Sequence, residues 1–174
     1  MKMLNIITLL FLMNVYAEFG FSQVSSNLED YLKIKVFEST RNDVKKIYGN
    51  PERIYAGTKE KSYWEDYMLS NGIRVSVKYS RGNCSLGSEI WNVPEGKVTE
   101  ITYSPLREKP DLKKLISGKI KFNSRPSGDV GGHIEFYNDE KGVNIYYDEG
   151  DGGEGVMDIE VFPSLKYKQK YKCS

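Results

Sequence analysis

The sequence predicts an α+β protein: two tandem units, each a short helix followed by an antiparallel meander of three to four strands, packed as one compact body. Three observations carry that expectation. Thirteen tyrosines and sixteen glycines accompany alternating apolar runs, a composition that favours strands and tight turns. The stretch "STRNDVKKIYGNP" reads as a capped helix that stops at a glycine. Further on, "NGIRVSVKY" and "KGVNIYYDE" each place a glycine before an alternating strand. Each is followed by a glycine-containing connection and a last strand, "GKVTEITYSP" or "GVMDIEVFPS", with Ile101 to Pro105 and Ile159 to Pro163 equally spaced. The competing reading is two unrelated hairpins, since strands resemble strands.

The chain begins with a segment expected to lie outside the fold. Lys2 precedes the apolar run "MLNIITLLFLMNV", and Val15-Tyr16-Ala17 offers the small residues a signal peptidase accepts. That run falls short of the ~20 residues needed to span a bilayer. Residues 1–17 are therefore expected to be a cleaved signal peptide, with a cut after Ser22 as the alternative. No cysteine stands near either cut to carry a lipid anchor. The expected product is exported, periplasmic or secreted, with no membrane span after cleavage. Residues 18–36 read as an N-terminal linker or short helix, 37–105 as the first unit, and 106–174 as the second unit with a basic C-terminal tail. The 25 basic and 24 acidic residues nearly cancel, so overall charge points to neither nucleic acid nor an anionic membrane.

In the first unit, Thr40 and Asp43 match the [ST]-x-x-[DE] capping box and set a helix start near Arg41. Val44, Ile47 and Tyr48 form one apolar stripe, while Arg41, Asn42, Lys45 and Lys46 face away. Gly49 supplies a left-handed end and Pro51 prevents continuation. Asn71-Gly72 marks a hairpin between "KSYWEDYML" and "IRVSVKYS". There Ile73, Val75, Val77 and Tyr79 share one face, and Arg74, Ser76 and Lys78 the other. A third strand ends at Pro105. In the second unit, "PDLKKLIS" supplies the matching helix through Leu112, Leu115 and Ile116, and "HIEFYND" the matching first strand.

Cys84 and Cys173 are the only cysteines, and an even count in an exported chain predicts a bridge. Closing a loop of about 90 residues contributes roughly 4 to 5 kcal/mol in the chain-entropy account, an upper figure. Chemistry beyond that is sparse, and no catalytic residue, metal ligand or cofactor site is assigned. His133 is the single histidine and is expected to begin a strand. Glu65 and Asp66 are adjacent, hence on opposite sides of a strand, and read as ordinary sheet and rim charges. The acidic stretch "DEGDGGEG" lacks EF-hand spacing and reads as a solvated turn rather than a calcium loop. Trp91, in "EIWNVP" after Cys84, reads as core packing beside the disulfide. In the tail, Lys166, Lys168, Lys170 and Lys172 alternate with Tyr167, Gln169 and Tyr171, which in an extended chain puts the lysines on one side. That row is either the protective edge of a sheet or a docking strip for an anionic partner.

"FESTRNDVKKIYGNP", "VSVKYSRGNC", "WNVPEGKVTEITYSP" and "FYNDEKGVNIYY", with a late cysteine, are similar to an uncharacterised family of exported bacterial proteins. More distantly, the helix-plus-sheet units resemble the beta-lactamase-inhibitor-protein and small outer-membrane-assembly lipoprotein group, whose members act by binding other proteins. The chain departs from the lipoprotein in lacking a lipidated N-terminal cysteine. That family carries no known activity, and with no catalytic motif in the chain the expected function is a non-enzymatic binding or interaction module that meets an unknown protein or envelope component through an exposed sheet face or loops. The alternative is a hydrolase of an envelope polymer working through carboxylates or hydroxyls that no motif singles out.

Overall fold

The computed structural model describes residues 25, 27–56, 63–82, 84, 91–127, 132–150 and 153–173; the expected signal segment lies outside them. The described chain is mixed α+β, as expected, with the sheet dominant. Four short helices, α1 (Leu28–Tyr31), α2 (Arg41–Tyr48), α3 (Leu112–Ile116) and α4 (Leu165–Tyr171), accompany one eight-stranded antiparallel sheet. The strands are β1 (Arg53–Tyr55), β2 (Tyr63–Met68), β3 (Ile73–Tyr79), β4 (Val98–Pro105), β5 (Asn123–Pro126), β6 (His133–Asn138), β7 (Val143–Asp148) and β8 (Gly155–Val161). Their spatial order is β1-β2-β3-β4-β8-β7-β6-β5, so the last strand of the chain lies at the centre against β4.

Local chemistry explains the elements. The capping box of α2 is present as predicted: the Asp43 amide donates to the Thr40 hydroxyl at 3.4 Å, and the Thr40 amide donates to the Asp43 carboxylate at 2.9 Å. Gly49 ends the helix at φ +82° and ψ −151°, outside the left-handed helical well expected of it but in a region that favours glycine. The predicted hairpin joins β2 to β3, with Gly72 at φ +79° and its amide donating to the Leu69 carbonyl at 2.9 Å. Between β6 and β7 the turn depends on Gly142 at φ +68°, where a Cβ would collide with the Phe162 carbonyl oxygen.

Alternation sorts the side chains onto two faces. Ile73, Val75, Val77 and Tyr79 are buried together, joined by Tyr67, Ile101, Tyr103, Val143, Ile145, Ile159 and Val161. Against this core packs the segment read as a linker or short helix. It forms α1, whose Asn27 side chain caps the Glu29 amide at 3.1 Å, and it buries Leu28, Tyr31, Ile34 and Val36, with Phe37 following. Each such burial contributes about 1.5–3 kcal/mol relative to exposure. The α2 stripe is narrower than its spacing implied: Val44 is buried and Tyr48 half-buried, but Ile47 is exposed.

The C-terminal tail requires a correction. Residues 165–171 form a helix, so Lys166, Lys168, Lys170 and Lys172 do not line up on one side of an extended strand. Tyrosines four residues apart suit a helix equally well, and here both turn toward Phe37, with ring centroids at 6.0 Å for Tyr167 and 5.3 Å for Tyr171. Lys168 instead reaches Asp139 at 3.7 Å and lies over the Phe162 ring. Cys173 follows directly and is bonded to Cys84, with Cα atoms 5.7 Å apart across 89 positions of sequence. Trp91 packs beside the bridge against Phe37, as expected.

Candidate functional site: the polar face of the sheet

On the side opposite the core, strand register assembles a continuous row that no single stretch of sequence displays. Reading across the sheet, Arg53, Asp66, Ser76, Thr102, Glu160, Asn144, Tyr137 and Asn123 are successive Cα partners. Each of the eight strands contributes one residue, and each is polar. Those on the outermost strands are exposed and the six between are half-buried. The next row toward the β2–β3 turn runs Met68, Arg74, Ser104 and, on the far half, Asp158, Tyr146, Glu135 and Arg125.

Hydrogen bonds hold much of this face in place. Ser76 donates to Asp66 at 2.7 Å, Ser104 to Asp158 at 2.5 Å and Tyr146 to Glu160 at 3.0 Å. Arg125 donates to Glu135 at 2.6 Å and lies over the Tyr137 ring at 4.9 Å. Lys78 lies 3.7 Å from Glu100 across the β3–β4 ladder. A shallow depression of about 320 Å³ opens among Glu100, Tyr137, Asn144, Glu160 and Lys168. Partial burial, and then the negative charges of Glu100, Asp158 and Glu135, push the Glu160 carboxyl above its ordinary range against the opposing Tyr146 hydrogen bond.

Beneath the face, Glu65 overturns the reading of ordinary sheet and rim charges. It does point away from Asp66, but into the core, where its side chain is 0% exposed. Arg41, expected to face away from α2's packed side, bends inward and donates from Nε to Glu65 at 2.6 Å, with a second guanidinium nitrogen also paired to it. Tyr67 donates to the other carboxylate oxygen at 2.6 Å, and Tyr63 to the first at 3.2 Å. Burial is the largest influence and would raise this carboxyl. Hydrogen bonds from Arg41, Tyr67 and Tyr79 together outweigh it and hold the group below its ordinary value. The same surroundings raise the Tyr67 and Tyr79 phenols, chiefly by burial.

The other candidates disperse. Thr40 and Asp43 form the helix cap, and Cys84 and Cys173 the bridge, both remote in role from the polar face. His133 begins β6, as expected, with Nε2 3.6 Å from Asp148. Asp148 also accepts from the Gly150 amide at 2.8 Å, a turn interaction; positions 151 and 152 of the acidic stretch lie outside the described residues. Among the described residues, no group of three or more His, Cys, Asp or Glu is placed to hold a metal, and no helix is long and apolar enough to cross a membrane. The alternation of β3 foretold which of its residues face outward; the row across eight strands required the register, which nothing local encodes.

These features define a disulfide-bonded α+β protein with one antiparallel sheet, apolar on one face and polar on the other. No family model, curated protein or solved structure matches it.

Proposed function

We propose that the protein is an exported, non-enzymatic binding module that captures a protein or envelope component on the polar face of its sheet. The observation carrying this reading is the row of eight polar residues, one per strand, presented by a rigid ladder. Such a surface offers many spaced hydrogen-bonding groups, the pattern of a polar interface. Export is supported by the leader-like residues 1–17 and by the disulfide, a bond that persists in oxidising compartments. The resemblance to a group of protein-binding folds points the same way.

The reading includes two tandem units. Helix then four strands occurs twice along the chain, α2 with β1–β4 and α3 with β5–β8. The central pairs Ile101↔Val161 and Tyr103↔Ile159 are related by a two-fold through Thr102↔Glu160, as a duplicated strand pairing with itself requires. The hairpins are less regular: Ile73 pairs with Pro105, whereas Val143 pairs with Val161, two residues before Pro163. The second unit has slipped along its last strand.

The test is capture from an envelope extract with Ser76→Arg/Thr102→Arg, which puts bulk and charge at the middle of the row. The expected outcome is lost capture with an unchanged circular dichroism spectrum. Equal capture by both proteins sinks the assignment to this face. One observation favours the hydrolase alternative: Glu160 has a raised carboxyl beside other acids, the property of a general acid. Release of soluble fragments from purified envelope polymer, abolished by Glu160→Gln, would establish that alternative instead.

A further inference from the structure

We propose that the Cys84–Cys173 disulfide is a releasable latch on α4, and that an external dithiol opens it while the sheet stays folded. The helix it holds contributes no buried residue, and Ser164 at its N-terminus makes no side-chain capping bond. A seven-residue helix of that kind does not persist without docking.

Its contacts run the length of the helix and lie at the surface: the Leu165 amide donates to the Asp139 carbonyl at 2.8 Å, Lys168 pairs with Asp139, and the Tyr167 hydroxyl donates to Glu38. Phe37 meets Tyr167, Tyr171 and Trp91; the Asn92 amide donates to the Tyr171 carbonyl at 2.5 Å, and Trp91 bridges Lys172. Beside them stands the disulfide, the Cys84 amide donating to the Trp91 carbonyl at 3.3 Å; Cys84 is exposed and sits at φ +50°, a left-handed backbone position unfavourable for a residue with a Cβ. At the other end, the start of α4 walls a cavity of about 370 Å³ with Leu32, Ile34, Val36 and Phe162. The bond therefore stands at one end of a strap whose other end is Pro163-Ser164.

A dithiol's thiolate attacks one cystine sulfur, breaking the S–S bond and forming a mixed disulfide, which its second thiol resolves. The dithiol gives up two electrons and becomes a disulfide. Cys84 and Cys173 take those electrons and two protons and leave as thiols. Without the bond, α4 swings about Pro163-Ser164 and uncovers Phe37 and Trp91.

The experiment compares the folded full chain with and without dithiothreitol by tryptic cleavage at Lys166, Lys168 and Lys170 and by amide hydrogen exchange. Reduction should accelerate both in residues 165–173 by at least about tenfold, while β3 and β4, though they exchange faster as the whole fold loses the bridge's stabilisation, stay far more slowly exchanging than α4, the signature of local opening. Cys84→Ser/Cys173→Ser should match the reduced protein with or without reductant. Unchanged protection of α4 after complete reduction overturns the latch. Loss of protection in β3 and β4 down to the level of α4 also overturns it, because the reduced chain has then unfolded as a whole.

Discussion

Arg41 and Glu65 show how a single pair ties a surface helix to the sheet. Because Glu65 is fully buried and Arg41 is 39% exposed, Arg41→Ala leaves an uncompensated carboxylate, though solvent already screens the arginine end. The expected loss is about 2 kcal/mol, below that of a fully buried pair, read as a lower urea midpoint at pH 7. Since the folded carboxyl lies below its ordinary value of 4.5, its contribution is fully present above that value and lost as pH falls through the lowered one. The gap between wild type and variant should therefore narrow on acidification; a gap that widens counts against the pair. Glu160 carries the opposite sign. Its raised carboxyl costs stability at neutral pH, so Glu160→Gln should raise the midpoint at pH 7 and lose that advantage as both states become protonated. The opposed directions of Glu65 and Asp66 were legible from strand alternation alone. Which of them was inside was not, because the deciding partner stands 24 residues earlier on a helix and reaches back against its own face.

Among the elements, α2 was the most legible, because its cap and stop are local, although its stripe is narrower than the spacing implies, with Ile47 exposed and Arg41 turned inward. Thr40→Ala should cost about 1 kcal/mol through the lost cap, measured by denaturant titration; an unchanged midpoint would mean the hydroxyl holds nothing. The glycine-dependent turns separate space from backbone preference. At Gly49 a Cβ meets nothing within 4 Å, so Gly49→Ala brings backbone strain of about 1–3 kcal/mol. At Gly142 the same strain is joined by a collision with the Phe162 carbonyl and the Ser164 amide. Gly142→Ala should be the more damaging of the two, with equal midpoints contradicting the close approach. The tail was illegible for a different reason. "KYKQKYK" satisfies a two-residue and a four-residue period at once, and what selects the helix is Phe37, more than a hundred positions away and held at φ +66°.

Across the molecule, strand content and both hairpins followed from alternation and turn chemistry, but their union into one sheet did not. That union rests on β4 and β8, whose three paired positions place Ile101 against Val161 and Tyr103 against Ile159. Both halves thereby share one apolar core, so they should unfold together: near-ultraviolet and far-ultraviolet circular dichroism should give one coincident transition, and separated midpoints would indicate independent halves. The central position of β8 also imposes an order on synthesis. A growing chain completes β4 and then extends through some sixty further positions before Val161 arrives to pair with Ile101. Throughout that interval β4 is a bare strand edge carrying unpaired amides and carbonyls, the kind of template to which stray strands add. A ribosome that stalls within residues 106–154 would therefore release a product prone to aggregate, whereas one that passes Val161 releases a chain able to shield its own β4.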